Sequence, residues 1–282
     1  MPVPGALVLV ATPIGNLGDL SPRAIETLRD VDVIAAEDTR RTRALLTHAG
    51  VSAGGRLRAV HGHNERAWAR TIVEEVRNGL RVAYVADAGM PAVSDPGARL
   101  VRACVDAGLD VEVVPGPSAA LTALVLSGLP TARFVFEGFI PLKGQDRHQR
   151  LADIARESRT VVLFEAPHRL TRTLDDLVTA CGPDRVLAVA RELTKLHEEV
   201  WRGTLDEAVA HFHAHAPRGE IVVVLEPSKA VTEPPDDAAL ASDVDDLVAE
   251  GLSTREAADR LAERYGISRR RAYDTVIARK AQ

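Results

Sequence analysis

Three stretches in the first half of the chain share one pattern of apolar and polar positions. Each has a β-branched apolar run, then a loop rich in Gly, Pro and Asp, then apolar residues recurring at helical spacing. The first is Leu7–Val10, the loop TPIGNLGDLS and a helix from Pro22, with Ser21 as N-cap and Pro22 in the first turn. The second is Val82–Ala86, the loop DAGMPAVSDPG and a helix running to Ala107. Here Asp95 is the expected cap, Pro96 fits the first turn and Gly108 fits the position just past the helix end. The third is Val111–Val114, the loop PGPSA and the helix AALTALVLSG. Continuous apolar strands alternating with helices predict a parallel sheet covered on both faces. Ligands of such sheets bind beyond the carboxyl ends of the strands, where all three loops emerge.

The second half reads differently. RFVFEGF (133–139) and TVVLF (160–164) alternate, helical spacing follows over Leu170–Ala180 and Leu205–Ala214, and Ile221–Leu225 is a strong last strand. The pattern predicts an α/β domain over 1–116 and a second over 117–227. A Pro-rich acidic linker follows over 228–239, and a helical tail over 240–282. In the tail, Ser253 and Glu256 have capping-box spacing, Gly266 ends one helix and Ser268 caps the next. This reads either as a helix-turn-helix or as a docking tail with a solvated basic face.

Charge sharpens that contrast. The 282 residues carry a formal charge of −5, yet residues 251–282 hold eight Arg or Lys against four Asp or Glu, so that end of the tail is +4 and residues 1–250 are −9. A basic tail on an acidic body is a candidate nucleic-acid contact. Cys104 and Cys181 stand far apart with no CxxC, which fits a reducing cytoplasm and indicates no cysteine metal site. No apolar run approaches the ~18–20 residues that span a bilayer, so no membrane partner is expected.

Several chemistries lack their signatures. There is no Walker A, HExxH or GxSxG sequence, and Gly15 and Gly18 do not complete a dinucleotide fingerprint. His211, His213 and His215 alternate, but a solvated helix face accounts for them better than a metal site. What remains is a glycine- and carboxylate-rich cleft. Asp87 to Pro91 and Ser94 to Gly97 form its densest part, and Glu37, Asp38 and Asp87 stand at strand ends, where a cationic or hydroxyl-rich ligand is held.

Nine segments occur in order over about residues 6–226: VATPIGNLGDLSPRA, IAAEDTR, HGHNE, DAGMPAVSDPG, VPGPSAALTALVLSGLP, FEGFIP, APHRL, RELTKLHEE and RGEIVVVLE. Together they resemble the tetrapyrrole-methylase-fold family, and within it the bacterial methyltransferases of small-subunit ribosomal RNA. Met90 stands where that family usually has Thr. The resemblance implies two α/β domains, a homodimer, and S-adenosylmethionine bound in the cleft between the domains. It further implies methyl transfer to a cytidine ribose 2′-oxygen in the decoding region, with the ribosomal RNA or the small subunit as partner. On matched positions the donor falls against Pro13, Gly15, Asp87, Ala88, Gly89, Val93, Asp95, Ser118, Ala119, Gly219 and Glu220.

Methyl transfer from a sulfonium releases a neutral leaving group, so no metal is required, and alignment of donor and acceptor is the main task. A positioned base helps a neutral ribose hydroxyl; the candidates are Asp38, His63, Glu65 and a Lys195 whose pKa is lowered by burial. Aromatic residues make up 4% of the chain, so RNA contacts are expected to be mainly to phosphate. Candidates are Arg40, Arg41, Arg43, Lys143, Arg147, Arg150, Arg169 and Arg269, Arg270 and Arg271. Two other readings stand beside this one. One is a corrin or porphyrin-precursor methyltransferase of the same fold; the other is a non-enzymatic nucleic-acid-binding regulator.

Overall fold

The computed structural model describes residues 4–228, 237–249, 252–265 and 267–280. The described residues divide into two compact units, one ending at Ser228 and one beginning at Asp237. The first unit opens with β1 (Ala6–Val10), α1 (Pro22–Asp30), β2 (Val33–Ala36), α2 (Thr39–His48) and β3 (Leu57–Ala59). It continues with α3 (Glu65–Arg77), β4 (Arg81–Val85), α4 (Ala98–Asp106) and β5 (Asp110–Val114). These five strands form one all-parallel sheet in the order β3-β2-β4-β1-β5. β1 lies inside the sheet and both its faces are covered. Ala6, Val8 and Val10 enter one apolar cluster, and Leu7 and Leu9 enter the other. That is why this strand reads as a continuous apolar run.

A second sheet follows α5 (Ala119–Ser127). Its elements are β6 (Phe134–Phe139), α6 (Gln145–Arg156), β7 (Thr160–Glu165), α7 (Leu170–Cys181), β8 (Val186–Arg191), β9 (Glu199–Thr204), α8 (Leu205–Ala214) and β10 (Ile221–Leu225). The order is β6-β7-β10-β8-β9, with β6 and β7 parallel and β10 antiparallel to both of its neighbours. Ile221, Val223 and Leu225 of β10 face the core beneath α6, α7 and α8, while Val222 and Val224 face α5. Ile14, from the loop after β1, joins that second cluster, so the first sheet's loop docks on the second sheet.

The predicted caps hold in part. Ser21 Oγ accepts from Ala24 N, and Gly108, with a positive φ, follows α4. Asp95 does not cap α4, which starts at Ala98 after Gly97. The cap comes from another element, described below. No described helix is long and apolar enough to cross a membrane.

In the second unit, α9 (Asp237–Ala249), α10 (Thr254–Tyr265) and α11 (Arg269–Lys280) enclose Leu240, Val244, Ala257, Leu261, Ala272 and Val276. The Ser253–Glu256 capping box and the Ser268 cap both form. The described residues of the unit form three helices, with α9, over the segment DVDDLVA that also reads as helical, preceding the pair read as a helix-turn-helix or a docking tail. Gly266 and most of the expected linker, residues 229–236, lie outside the described residues.

Candidate active site

The loops after β1, β4 and β5 are tied to one another at the edge of the first sheet. Thr12 and Gly89 exchange two backbone hydrogen bonds of 3.0 Å, and Ala11 N donates to Val114 O at 3.0 Å. Gly15 lies so close to the RELTKLHEE segment that a Cβ there would stand 2.8 Å from Thr194 Oγ1 and 2.9 Å from Leu193 O. Asn16 N donates to that same hydroxyl at 3.0 Å. The four non-glycine residues with positive φ are Ala92, Ser94, Glu192 and Thr194, among the described residues. All four lie in these two loops. Such backbone persists only where surrounding contacts over-determine it, and it gathers at functional sites.

Between the sheets lies a cavity of about 420 Å³. Nine of the eleven positions expected to hold the donor line it: Asp87, Ala88, Gly89, Val93, Asp95, Ser118, Ala119, Gly219 and Glu220. Pro13 and Gly15 do not line it; the residue between them, Ile14, does. Pro13 and Gly15 therefore hold the loop rather than face the cavity. Ser118 is also the N-cap of α5, accepting from Leu121 N at 3.5 Å.

The wall is acidic. Glu37, Asp87, Asp95, Glu165 and Glu220 line it, with Arg41 as the cationic lining residue, 3.4 Å from Asp87. Burial, with the charges of Glu37, Asp87 and Glu220 nearby, raises the Asp95 pKa to about 6. Burial likewise raises that of Glu37, against a hydrogen bond from Asp87 N that lowers it. A ligand carrying positive charge would relieve this crowding. The remaining lining includes the apolar Ile14, Ala119, Ala120, Phe164 and Val222, which suit a flat ring system.

None of the four candidate bases lines the cavity. Asp38 caps α2 and is paired with Arg40, whose hydrogen bonds hold its pKa at about 2, which makes it a weak base. Glu65 is 5% exposed and its Oε1 accepts from Gly97 N and Arg99 N, each at 2.9 Å. It is the missing cap of α4. His63 is exposed and packs edge to face on His61. Burial would lower the Lys195 pKa, as expected, but Glu192 at 2.9 Å and Glu220 at 3.1 Å outweigh it and raise it. That ammonium stays protonated.

Two of the expected phosphate contacts are tied into the protein, one buried and one half-buried. Arg147 is 3% exposed and bonds to Asp176, Thr173 Oγ1 and Pro141 O. Arg169 pairs with the buried Glu165 at 3.1 Å and donates to Ile140 O at 2.6 Å. Arg150 is half-buried against Glu137. Arg40, Arg43 and Lys143 are exposed. In the second unit Arg270 and Arg271 are exposed and Arg269 pairs with Asp259 at 2.9 Å. Among the described residues no group of three His, Cys, Asp or Glu could hold a metal ion. His211 stacks on Trp201, and His213 pairs with Asp175.

The sequence matches the family model of the tetrapyrrole (corrin/porphyrin) methylases over residues 6–209. A protein of Synechocystis named ribosomal RNA small subunit methyltransferase I is 45% identical, over 98% of this chain and 99% of that one. Its namesake in Escherichia coli O157:H7 is 42% identical, over 95% and 93%. The chain belongs to this methyltransferase I family. The family member of Thermotoga maritima is 46% identical, and 78% of this chain covers 98% of it. Among solved structures, the methyltransferase CobJ (TM-score 0.60, 21% identity, 79% of this chain and 95% of that one) shares the fold. So does diphthine synthase (TM-score 0.60, 15% identity, 78% and 90%). Phe139 of FEGFIP and Ala166 and Pro167 of APHRL also line the cavity, at positions outside the expected donor set.

Proposed function

We propose that the chain transfers a methyl group from S-adenosylmethionine to the 2′-oxygen of a cytidine ribose in the decoding region of small-subunit ribosomal RNA. The near full-length identity to proteins named ribosomal RNA small subunit methyltransferase I carries this reading. The cleft supports it. S-adenosylmethionine supplies a methyl group bonded to a positively charged sulfur. Acidic and apolar lining together, in a cavity of about 420 Å³, match a cationic ligand with a flat heterocycle. Asp87, Asp95 and Glu220 then hold the charged part, while Ile14, Ala119 and Val222 cover the ring. Residues 1–116 and 117–227 act as the two walls.

Glu37, a cleft carboxylate with a raised pKa, takes the proton-accepting role toward the ribose hydroxyl. Arg40, Arg41, Arg43, Lys143, Arg150 and Arg269–Arg271 take phosphate contacts. The protein works in the cytoplasm, where ribosomes are, and pairs with a second copy. Leu121 and Val125 on α5 and Val113 on β5 are 51%, 73% and 46% exposed, an apolar set suited to cover by that copy.

The test is labelled methyl transfer onto small subunits lacking the modification, with a tetrapyrrole precursor in parallel and nucleosides read by mass spectrometry. The expected product is 2′-O-methylcytidine. Transfer to the tetrapyrrole alone overturns the acceptor; transfer to neither overturns the reading.

A further inference from the structure

β6 contains one residue too many for its partner. Val135 and Phe136 align with Val161 and Val162, but the next aligned pairs are Gly138 with Leu163 and Phe139 with Phe164. Glu137 is therefore the extra residue of a β-bulge. In an unbroken strand Phe139 would share the face of Val135, which packs into the core beneath α6, α7 and α8. The extra residue moves it to the opposite face. There it lines the cavity, 50% exposed, with its ring edge to face on Phe164 at 5.6 Å. Phe164 is backed in turn by Phe136 at 4.9 Å.

The bulge is held from three directions. Gly138 has φ +61° and lies against the loop after β4, where an added Cβ would stand 3.0 Å from Ser94 Oγ. Arg150 pairs with Glu137 at 2.5 Å. Just beyond, Arg169 and Arg147 donate to the carbonyls of Ile140 and Pro141 at 2.6 and 2.9 Å. A core-sized aromatic ring is thus fixed half in solvent at the cavity rim, next to exposed Leu142 and Lys143. The enclosed recess, with Ile14, Ala120 and Val222 each below 8% exposure, is the place for the donor's ring, which leaves Phe139 facing the acceptor.

We propose that Phe139 is a stacking platform for an unpaired base of the RNA acceptor, presented at the cleft rim by the bulge. This rests on the RNA reading above. Aromatic faces stack any base, and a neighbouring cation tracks the backbone. A duplex base cannot reach such a ring unless it leaves its stack. The expectation that RNA contacts are mainly to phosphate is thereby extended by one aromatic contact.

The experiment compares wild type with Phe139→Ala, Phe139→Leu and Phe139→Tyr. It measures S-adenosylmethionine affinity by calorimetry and steady-state methylation of unmodified small subunits. Phe139→Ala and Phe139→Leu are expected to raise the subunit KM about tenfold or more, with donor affinity within about twofold and recovery in Phe139→Tyr. Unchanged KM in Phe139→Ala overturns the proposal. So does an equal loss of donor affinity in Phe139→Ala and Phe139→Leu, which would assign the ring to the donor. Failure of wild type to methylate subunits removes the RNA reading and this proposal together, whereas wild-type transfer with a neutral Phe139→Ala removes this proposal alone.

Discussion

Asp95 shows how one residue type serves opposite ends in one protein. Its pKa of about 6 arises from burial among other carboxylates, while Asp38, half-buried and bonded to Arg40, sits at about 2. Between the ordinary value of 3.8 and pH 6, the folded protein binds more proton at Asp95 than the unfolded chain does. Its charge therefore destabilises the donor-free fold above pH 6, and that cost fades as pH falls toward 4. Asp95→Asn is expected to stabilise the donor-free fold by on the order of 1 kcal/mol once solvent screening is allowed for, read as a higher thermal midpoint. It should also weaken S-adenosylmethionine binding about tenfold. Wild-type donor affinity, read by calorimetry from pH 8 to 5, should fall below pH 6, and the Asn variant should lose most of that dependence. A carboxylate at a strand end is legible in sequence as a cleft residue. Which one is lifted and which is pinned by an arginine depends on neighbours from other elements, as the fates of Glu37, Asp38 and Glu65 show.

Elements explain where basic residues were misplaced. The helical pattern of α6 marks Arg147 as a surface cation, since arginine is rarely buried unless paired. Its partners, Thr173 and Asp176, stand a full element later on α7, and only the packing of α6 on α7 brings them together. Arg147→Met leaves Asp176 and Thr173 without their donor. Because the Asp176 side chain is 35% exposed and water reaches its carboxylate, losing Arg147 costs about 1–3 kcal/mol rather than the full cost of breaking a buried pair. The expected result is a clear loss in urea midpoint, with much of it recovered in the Arg147→Met, Asp176→Leu double variant. A midpoint equal to wild type in the single variant would restore Arg147 as a surface contact. Cap prediction has the same limit. Ser21 and Ser268 cap from within their own segments and were legible, whereas α4 is capped by Glu65 from another helix, so Asp95 was a reasonable but displaced choice.

At the scale of the whole molecule, positive charge is concentrated in residues 251–282, at +4 against −9 for residues 1–250; the three-helix unit as a whole is not basic, because α9 carries Asp237, Asp243, Asp245 and Asp246. The Thermotoga maritima relative is covered over 98% of its length by 78% of this chain, so the family core is shorter than the chain. Arg269→Gln, Arg270→Gln and Arg271→Gln together should therefore leave donor affinity unchanged. They should raise the subunit KM and flatten its salt dependence, because fewer counterions are released on binding. Equal salt slopes for wild type and variant would assign Arg269–Arg271 to the solvated face of a docking tail.

The strands β1, β4, β5, β6, β7 and β10, the helices α1, α4 and α5 and the ligand loops at one sheet edge were determined by the sequence alone, because apolar period and turn residues are local properties; β3, β8 and β9 were not read from it. Nine of the eleven positions that the resemblance assigns to the donor line the cavity. Tertiary structure alone decided the rest. Burial removed Arg147 and Glu65 from the surface, the buried Glu165 paired Arg169, two carboxylates kept Lys195 protonated, and one extra residue in β6 turned Phe139 from core to cleft. Each outcome depends on groups distant in the chain whose approach sets the local dielectric, the hydrogen-bond partner or the facing side of a strand, and no local pattern carries that information.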